Sequence, residues 1–318
     1  MDDLHVLPTV KDSLTYLYVE HCRIEQEEKA IALLDERGKT PVPCATLMVL
    51  LLGPGTSITH AAVRALAENG CLAVWVGEEG VRFYAQGLGE TRSSRNLLWQ
   101  AWQWADPARR LEVVMRMYRM RFGEPLPPNL SLRQLRGREG MRVRWAYQRA
   151  SQETGVPWHG RSYRRDDWRA SDPVNRALSC ANSCLYGVCH AAIVAAGFSP
   201  AIGFIHTGRM LSFVYDIADL YKTQISIPIA FHAARDGEKD LETRVRHACR
   251  DAFRESRLLQ RIIPDIGRAL GMERPPDERT EIDTDTARAA PGDLWDPEGE
   301  VTGGVNYADA LEPEGDGT

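Results

Sequence analysis

Four absences bound this sequence. No apolar run approaches the roughly 20 residues that a bilayer-spanning helix needs. The longest, residues 46–52, stops at Gly53-Pro54-Gly55 and suits a buried strand. The opening residues, MDDLHVLPTVKD, hold neither a basic region nor an apolar signal core. The expectation is a cytoplasmic chain with no membrane contact. Among seven cysteines there is no CxxC spacing, and the number is odd. Cys180, Cys184 and Cys189 lie in a small-residue helical pattern, ALSCANSCLYGVCHAAIVAAG, that reads as buried free thiols rather than zinc ligands. Finally, residues 101–170 contain no lysine, yet they contain 15 arginines against 7 acidic residues.

That arginine excess is masked in the overall charge of −5. Residues 272–318 hold 3 basic and 14 acidic side chains, a net of −11, which leaves +6 on residues 1–271. A chain that concentrates arginine in this way is suited to phosphates. Helices with solvated basic faces are the alternative. With 43% hydrophobic residues and eight tryptophans, the chain has enough apolar material for a substantial core.

The patterning predicts an α+β protein, an N-terminal β-sheet or β-sandwich domain followed by a larger all-α domain, with boundaries at 1–88, 89–271 and 272–318. Residues 14–24 alternate β-branched and aromatic side chains as one strand. Residues 30–43 read as a hairpin about a turn containing Gly38. A capped short helix ends at Gly70, followed by strands over 71–76 and 81–86. Beyond Gly89 the spacing turns helical, over 93–122, 131–152, 175–196 and 241–270, with a proline-rich break at 125–130. The acidic, proline-containing tail from 272 reads as disordered or folding on binding.

The stretch GFIHTGRMLSFVYDIADLYK carries the densest chemistry. His206 precedes Asp216 by ten residues, and Asp219 follows at i+3. If SFVYDIADLYK is helical, both acids share a face. Two carboxylates and an imidazole suit a divalent cation, which can polarise a phosphate and activate an oxygen nucleophile. Spacing alone favours the plainer reading, an N-capped amphipathic helix with two solvated acids, because acids at i, i+3 are common on helices.

Further segments carry a resemblance: LRGREGMRVR around Glu139, GFIHTGR around His206, SFVYDIADLYK around Asp216, SCLYGV around Tyr186, and HAAVR with VWVGEEGVRFYAQG near the N-terminus. In order, over residues 14–270, they resemble the CRISPR-associated protein one family of CRISPR adaptation integrases, in its type I-E branch. The resemblance implies capture of a short double-stranded DNA (a prespacer) and its insertion into a CRISPR repeat by metal-dependent transesterification. It implies Mg²⁺ or Mn²⁺ held by Glu139, His206 and Asp216, with Asp219 in support. It also implies a homodimer, two of which flank a dimer of a small ferredoxin-like partner in a heterohexamer. A metal-dependent endonuclease on branched DNA and a non-catalytic DNA-bending scaffold are the alternatives.

The resemblance assigns DNA contacts to Arg64 and Arg82. Arg136, Arg138, Arg142 and Arg144 surround Glu139, and on a helix they do not all face one way. Of these, Arg136, Arg138 and Arg142 are taken as DNA contacts. Tyr163, Trp168 and Tyr186 are candidates for stacking on frayed bases. Lys222 is a candidate phosphate contact. Arg209 stands where the branch has a lysine near the motif bases, and arginine can read guanine through two hydrogen bonds. His21, with Tyr18 nearby, stands where the family has an aromatic wedge.

Overall fold

The computed structural model describes residues 15–28, 30–44, 47–78, 83–87, 94–122, 126–127, 129–161, 172–272, 294–297 and 299–301. Eight strands and one helix come first: β1 (Thr15–Val19), β2 (Arg23–Glu27), β3 (Ala30–Asp35), β4 (Gly38–Pro43), β5 (Leu47–Leu52), β6 (Ser57–Ile58), α1 (His60–Glu68), β7 (Leu72–Val76) and β8 (Phe83–Gly87). They build two four-stranded sheets, ordered β1-β5-β7-β8 and β4-β3-β2-β6. In the first sheet β1, β5 and β7 run parallel and β8 antiparallel.

Leu50, Leu52 and Ala73 of the first sheet share a core with Ile24 and Ile31 of the second and with Ala62 and Leu66 of α1. The opposite face of the first sheet, with Val49, Leu51, Val74 and Val76, enters the core of the helical region. Both faces of β5 are therefore covered. This explains why its sequence is continuously apolar instead of alternating.

Residues 14–24 are not one strand. The chain breaks at His21, whose φ is 49°, and β1 and β2 enter different sheets. The break is secured from outside: His21 donates its N–H to the Pro54 carbonyl, and Gly53 donates to the Val19 carbonyl. Glu20-His21-Cys22 carries no turn signature, so local pattern does not announce it.

The helices follow: α2 (Arg95–Ala105), α3 (Pro107–Met120), α4 (Leu132–Thr154), α5 (Pro173–Ala195), α6 (Ser212–Ala218), α7 (Ser226–Arg235), α8 (Leu241–Glu255) and α9 (Leu258–Leu270). The pattern over 93–122 divides at Asp106, whose carboxylate caps α3 through the Arg109 N–H while Pro107 takes the first helical position. A reciprocal cap between Ser131 and Gln134 starts α4, and Gly155 at φ 72° ends it. The pattern over 241–270 divides at Arg257, with φ 48°. Helix α5 is central, packed on α6 through α9 and on β5, β7 and β8. Its length and mean hydropathy of 1.4 would serve a membrane span, but it is mostly buried in the core. Its polar residues Asn175, Arg176 and Ser179 interrupt the apolar run that a simple scan seeks.

Residues 1–278 form one compact unit and 279–318 a second. Within the second, β9 (Leu294–Asp296) and β10 (Gly299–Val301) pair antiparallel, an element that the acidic tail pattern did not announce.

Candidate active site

The loop between α5 and α6 carries His206, and Asp216 of α6 folds it. Asp216 is completely buried. Its Oδ2 accepts the Phe204 N–H at 2.6 Å and the Ile205 N–H at 3.1 Å. Its Oδ1 accepts the His206 N–H at 2.9 Å and faces His206 Nδ1 at 2.7 Å. A carboxylate has about four lone-pair positions, and here all are used. Read from the sequence as a metal ligand, Asp216 here turns both oxygens toward the loop and ring of His206. Asp216 instead fixes the ring of His206. With Nδ1 held against Asp216, Nε2 is the ring nitrogen left to face away from it. The His206 side chain is 42% exposed, in keeping with that direction. Gly203 makes the loop possible, since a Cβ there would overlap the His206 carbonyl oxygen and Ser212 Cβ.

Helix α6 is shorter than the pattern suggests. It ends at Ala218, and Asp219 occupies its C-cap in helical geometry, donating its N–H to the Tyr215 carbonyl. Asp219 pairs with Lys222 Nζ at 2.6 Å and with Arg121 Nη2 at 3.5 Å. The Arg121 side chain is 5% exposed and also approaches Glu139 Oε1, at 3.4 Å through Nη1. Arg121 therefore bridges Glu139 on α4 to Asp219 after α6. Glu139 is further held by Arg142, Nε to Oε2 at 2.8 Å and Nη2 to Oε1 at 2.9 Å. Two carboxylates thus face three cations. Burial would lower the pKa of Lys222, but Asp219 and the Tyr186 hydroxyl outweigh it and the ammonium is held above its ordinary range. Aromatic contacts link this group to the imidazole: Lys222 lies 4.9 Å over Tyr186, Tyr186 meets Tyr215 edge-on at 5.0 Å, and Tyr215 meets His206 at 5.8 Å.

Among the described residues no three His, Cys, Asp or Glu side chains already form a metal cage. The donor chemistry nonetheless fits a divalent cation. Glu139 and Asp219 supply carboxylates joined through one guanidinium, and His206 supplies a nitrogen braced by a carboxylate behind it. Arg121 also has two buried donors, Nε and Nη2, that lack a hydrogen-bond acceptor among the described residues.

The expected DNA contacts separate into groups. Arg136, Arg138 and Arg209 are exposed, the first two on α4 beside Glu139. Arg142 places Nε and Nη2 on Glu139 and Nη1 on Thr223 at 2.6 Å. Tyr186 and Lys222 join the acid cluster. Arg64 lies on α1, in the strand-rich region, near Glu68 at 3.8 Å. Arg82, Tyr163 and Trp168 lie outside the described residues. Tyr18 is half-buried against Gly53, its hydroxyl donating to Glu20 at 2.6 Å, while exposed His21 packs on Gly55. Sequence reasoning missed Arg121 and Thr223. The arginine-rich composition contains the first without distinguishing it, and nothing local marks the second.

Comparison with known proteins gives consistent matches. The family profile for CRISPR associated protein Cas1 matches residues 124–247. The chain is 58% identical over 322 residues to "CRISPR-associated endonuclease Cas1 2" of Thermus thermophilus, covering 98% of each chain. It is 46% identical over 270 residues to the CRISPR-associated endonuclease Cas1 of Escherichia coli K12, covering 84% of this chain and 88% of that one. A solved TtCas1–DNA complex superposes with a TM-score of 0.75 at 61% identity, over 81% of this chain and 97% of that one.

Proposed function

The chain belongs to the Cas1 family of CRISPR-associated endonucleases, and on that premise we propose that it joins the 3′-hydroxyl ends of a captured short DNA duplex into a CRISPR repeat by transesterification. The observation that carries the reading is the division of labour between two aspartates. Asp216 spends every lone pair on the loop and ring of His206. Asp219 stays with Glu139 around Arg121. In this reading Glu139, His206 Nε2 and Asp219 hold Mg²⁺ or Mn²⁺, and Asp216 is a positioning residue. Bound there, the cation supplies stabilisation of the charge that develops on the attacking and leaving oxygens.

The protein's own groups do the rest. A phosphodiester of the repeat offers its oxygens to exposed Arg136 and Arg138, while Arg121 and Lys222 hold the acids together. Arg142 keeps Glu139 in place. The incoming 3′-oxygen forms a bond to phosphorus as another 3′-oxygen leaves with a proton, so the number of phosphodiester bonds is conserved and no nucleotide triphosphate is consumed. The 61%-identical neighbour in complex with DNA supports DNA as the ligand. The homodimer and a heterohexamer with a small ferredoxin-like protein belong to the same proposal. Hydrolytic cleavage of branched DNA at this centre, with water as nucleophile, is the second reading, favoured by the endonuclease names of the relatives.

The test is a strand-exchange assay on a labelled branched duplex that mimics a half-integrated product. The full chain is assayed with Mn²⁺, Mg²⁺ or EDTA, beside His206→Ala. A rejoined continuous strand is expected with either cation and is absent with EDTA and in the variant. Shortened fragments without rejoining would replace integration by the hydrolytic reading.

A further inference from the structure

Helix α2 is built inside out. Its buried residues are Asn96, Gln100 and Gln103, whereas Leu98 and Trp102 are among its exposed ones. Burying an amide side chain is costly unless its hydrogen bonds are replaced, so these amides must have partners, and their partners fall into two sets. Gln103 Nε2 donates to the Leu270 carbonyl at the end of α9, as does Trp99 Nε1. The other set holds the loop that leads to His206. Asn96 Nδ2 donates to the Ala196 carbonyl at 2.8 Å. Gln100 is fully buried and makes three bonds: Nε2 to the Ser199 and Ile202 carbonyls, each at 3.0 Å, and Oε1 from the Ser199 N–H at 2.8 Å. One turn on, Trp104 Nε1 donates to the Gly203 carbonyl at 3.1 Å. From α3, Arg110 Nη2 donates to the Phe204 carbonyl at 3.1 Å.

Asn96, Gln100 and Trp104 are spaced i, i+4, i+8, a single line along one helix face. That line meets the loop carbonyls from one side, while Asp216 takes the N–H groups of residues 204–206 from the other. The strand of backbone leading to His206 is thus clamped between a row of donors and a single acceptor. We infer that Gln100, with Trp104 and Arg110 beside it, is a positioning residue that sets where His206 Nε2 stands relative to Glu139 and Asp219. The inference rests on the metal centre proposed above. An apolar residue at 100 would be the cheaper way to fill a buried space, and it would leave three loop groups without partners.

The experiment is a Mn²⁺ titration of the full chain without DNA, following free Mn²⁺ by electron paramagnetic resonance, with thermal unfolding recorded for each variant. Gln100→Met keeps the volume and removes the three bonds. It is expected to weaken Mn²⁺ binding about 10-fold, the scale on which groups behind a metal ligand act. Trp104→Phe, at a more exposed position, should shift binding in the same direction by less, and it keeps the test valid if Gln100→Met does not fold. Gln103→Met removes an equally buried amide of the same helix that holds α9 instead. It should lower thermal stability and leave Mn²⁺ binding at the wild-type level. Wild-type binding in both Gln100→Met and Trp104→Phe would overturn the inference, as would an equal loss in Gln103→Met. If the wild-type chain binds no Mn²⁺, the proposed centre itself falls and the inference falls with it.

Discussion

At the scale of single residues, two aspartates three positions apart have opposite environments, and that contrast can be tested. Asp216 is a buried carboxylate whose four acceptor positions face donors. An amide in its place turns one acceptor into a donor that faces another donor. Asp216→Asn should therefore destabilise the fold by about 3 kcal/mol, as expected when one partner is removed from a buried charged network. Asp219 is partly exposed at a helix end and pairs with Lys222 and Arg121. Asp219→Asn should keep the thermal midpoint within a few degrees of wild type while abolishing strand exchange. Thermal unfolding and the exchange assay, run on both variants, separate the roles. A stable and fully active Asp219→Asn protein would return the ligand role to another residue.

At the scale of elements, the sequence was legible where local chemistry writes its own punctuation. Asp106-Pro107 and Ser131 with Gln134 mark helix starts, and Gly155 marks a helix end, because each acts within one turn of chain. That His206 and Asp216 come together was legible because one short motif holds both. The break at His21 and the end of α6 before Asp219 were not, because distant partners decide them: Pro54 and Gly53 for the first, and the packing of α6 for the second. The different surroundings of Asp216 and Asp219 were hidden for that reason. Spacing cannot tell a carboxylate that binds outward from one that is consumed by its own loop.

The contact of α5 with β8 shows the same dependence on packing and gives a pH prediction. His190 of α5 stacks on Phe83 of β8 at 3.8 Å, buried, with Nδ1 lacking a partner among the described residues. Burial lowers its pKa to about 4, from 6.5. The native state thus resists a proton that the unfolded chain accepts. Stability from this group is intact above pH 6.5, is lost as pH falls from 6.5 toward 4, and changes no further below that. The loss amounts to at most about 3 kcal/mol. His190→Leu should flatten that part of the stability curve, measured by urea unfolding between pH 7 and 4.5. An unchanged slope would mean that the ring gains a proton in the native state at ordinary cost.

At the scale of the whole molecule, the controlling feature is the separation of charge along the chain. Residues 279–318, a compact unit of their own, hold 2 basic and 11 acidic side chains, so removing them takes the formal charge from −5 to +4. Tethered acids remain at high effective concentration near the arginine-rich region whatever their conformation, and they compete with phosphates for the same cations. Truncation after Glu278 is therefore expected to tighten nonspecific duplex binding, more at 50 mM salt than at 200 mM, because the competition is electrostatic and screened. Fluorescence anisotropy with a random-sequence duplex measures it. A full-length chain with the eleven acids replaced by Asn and Gln distinguishes charge from the tail's other features. If charge is the cause, the neutralised tail matches the truncation. If the neutralised tail binds like wild type while the truncated chain binds more weakly, the segment contributes contacts to the DNA-binding protein instead of restraining it.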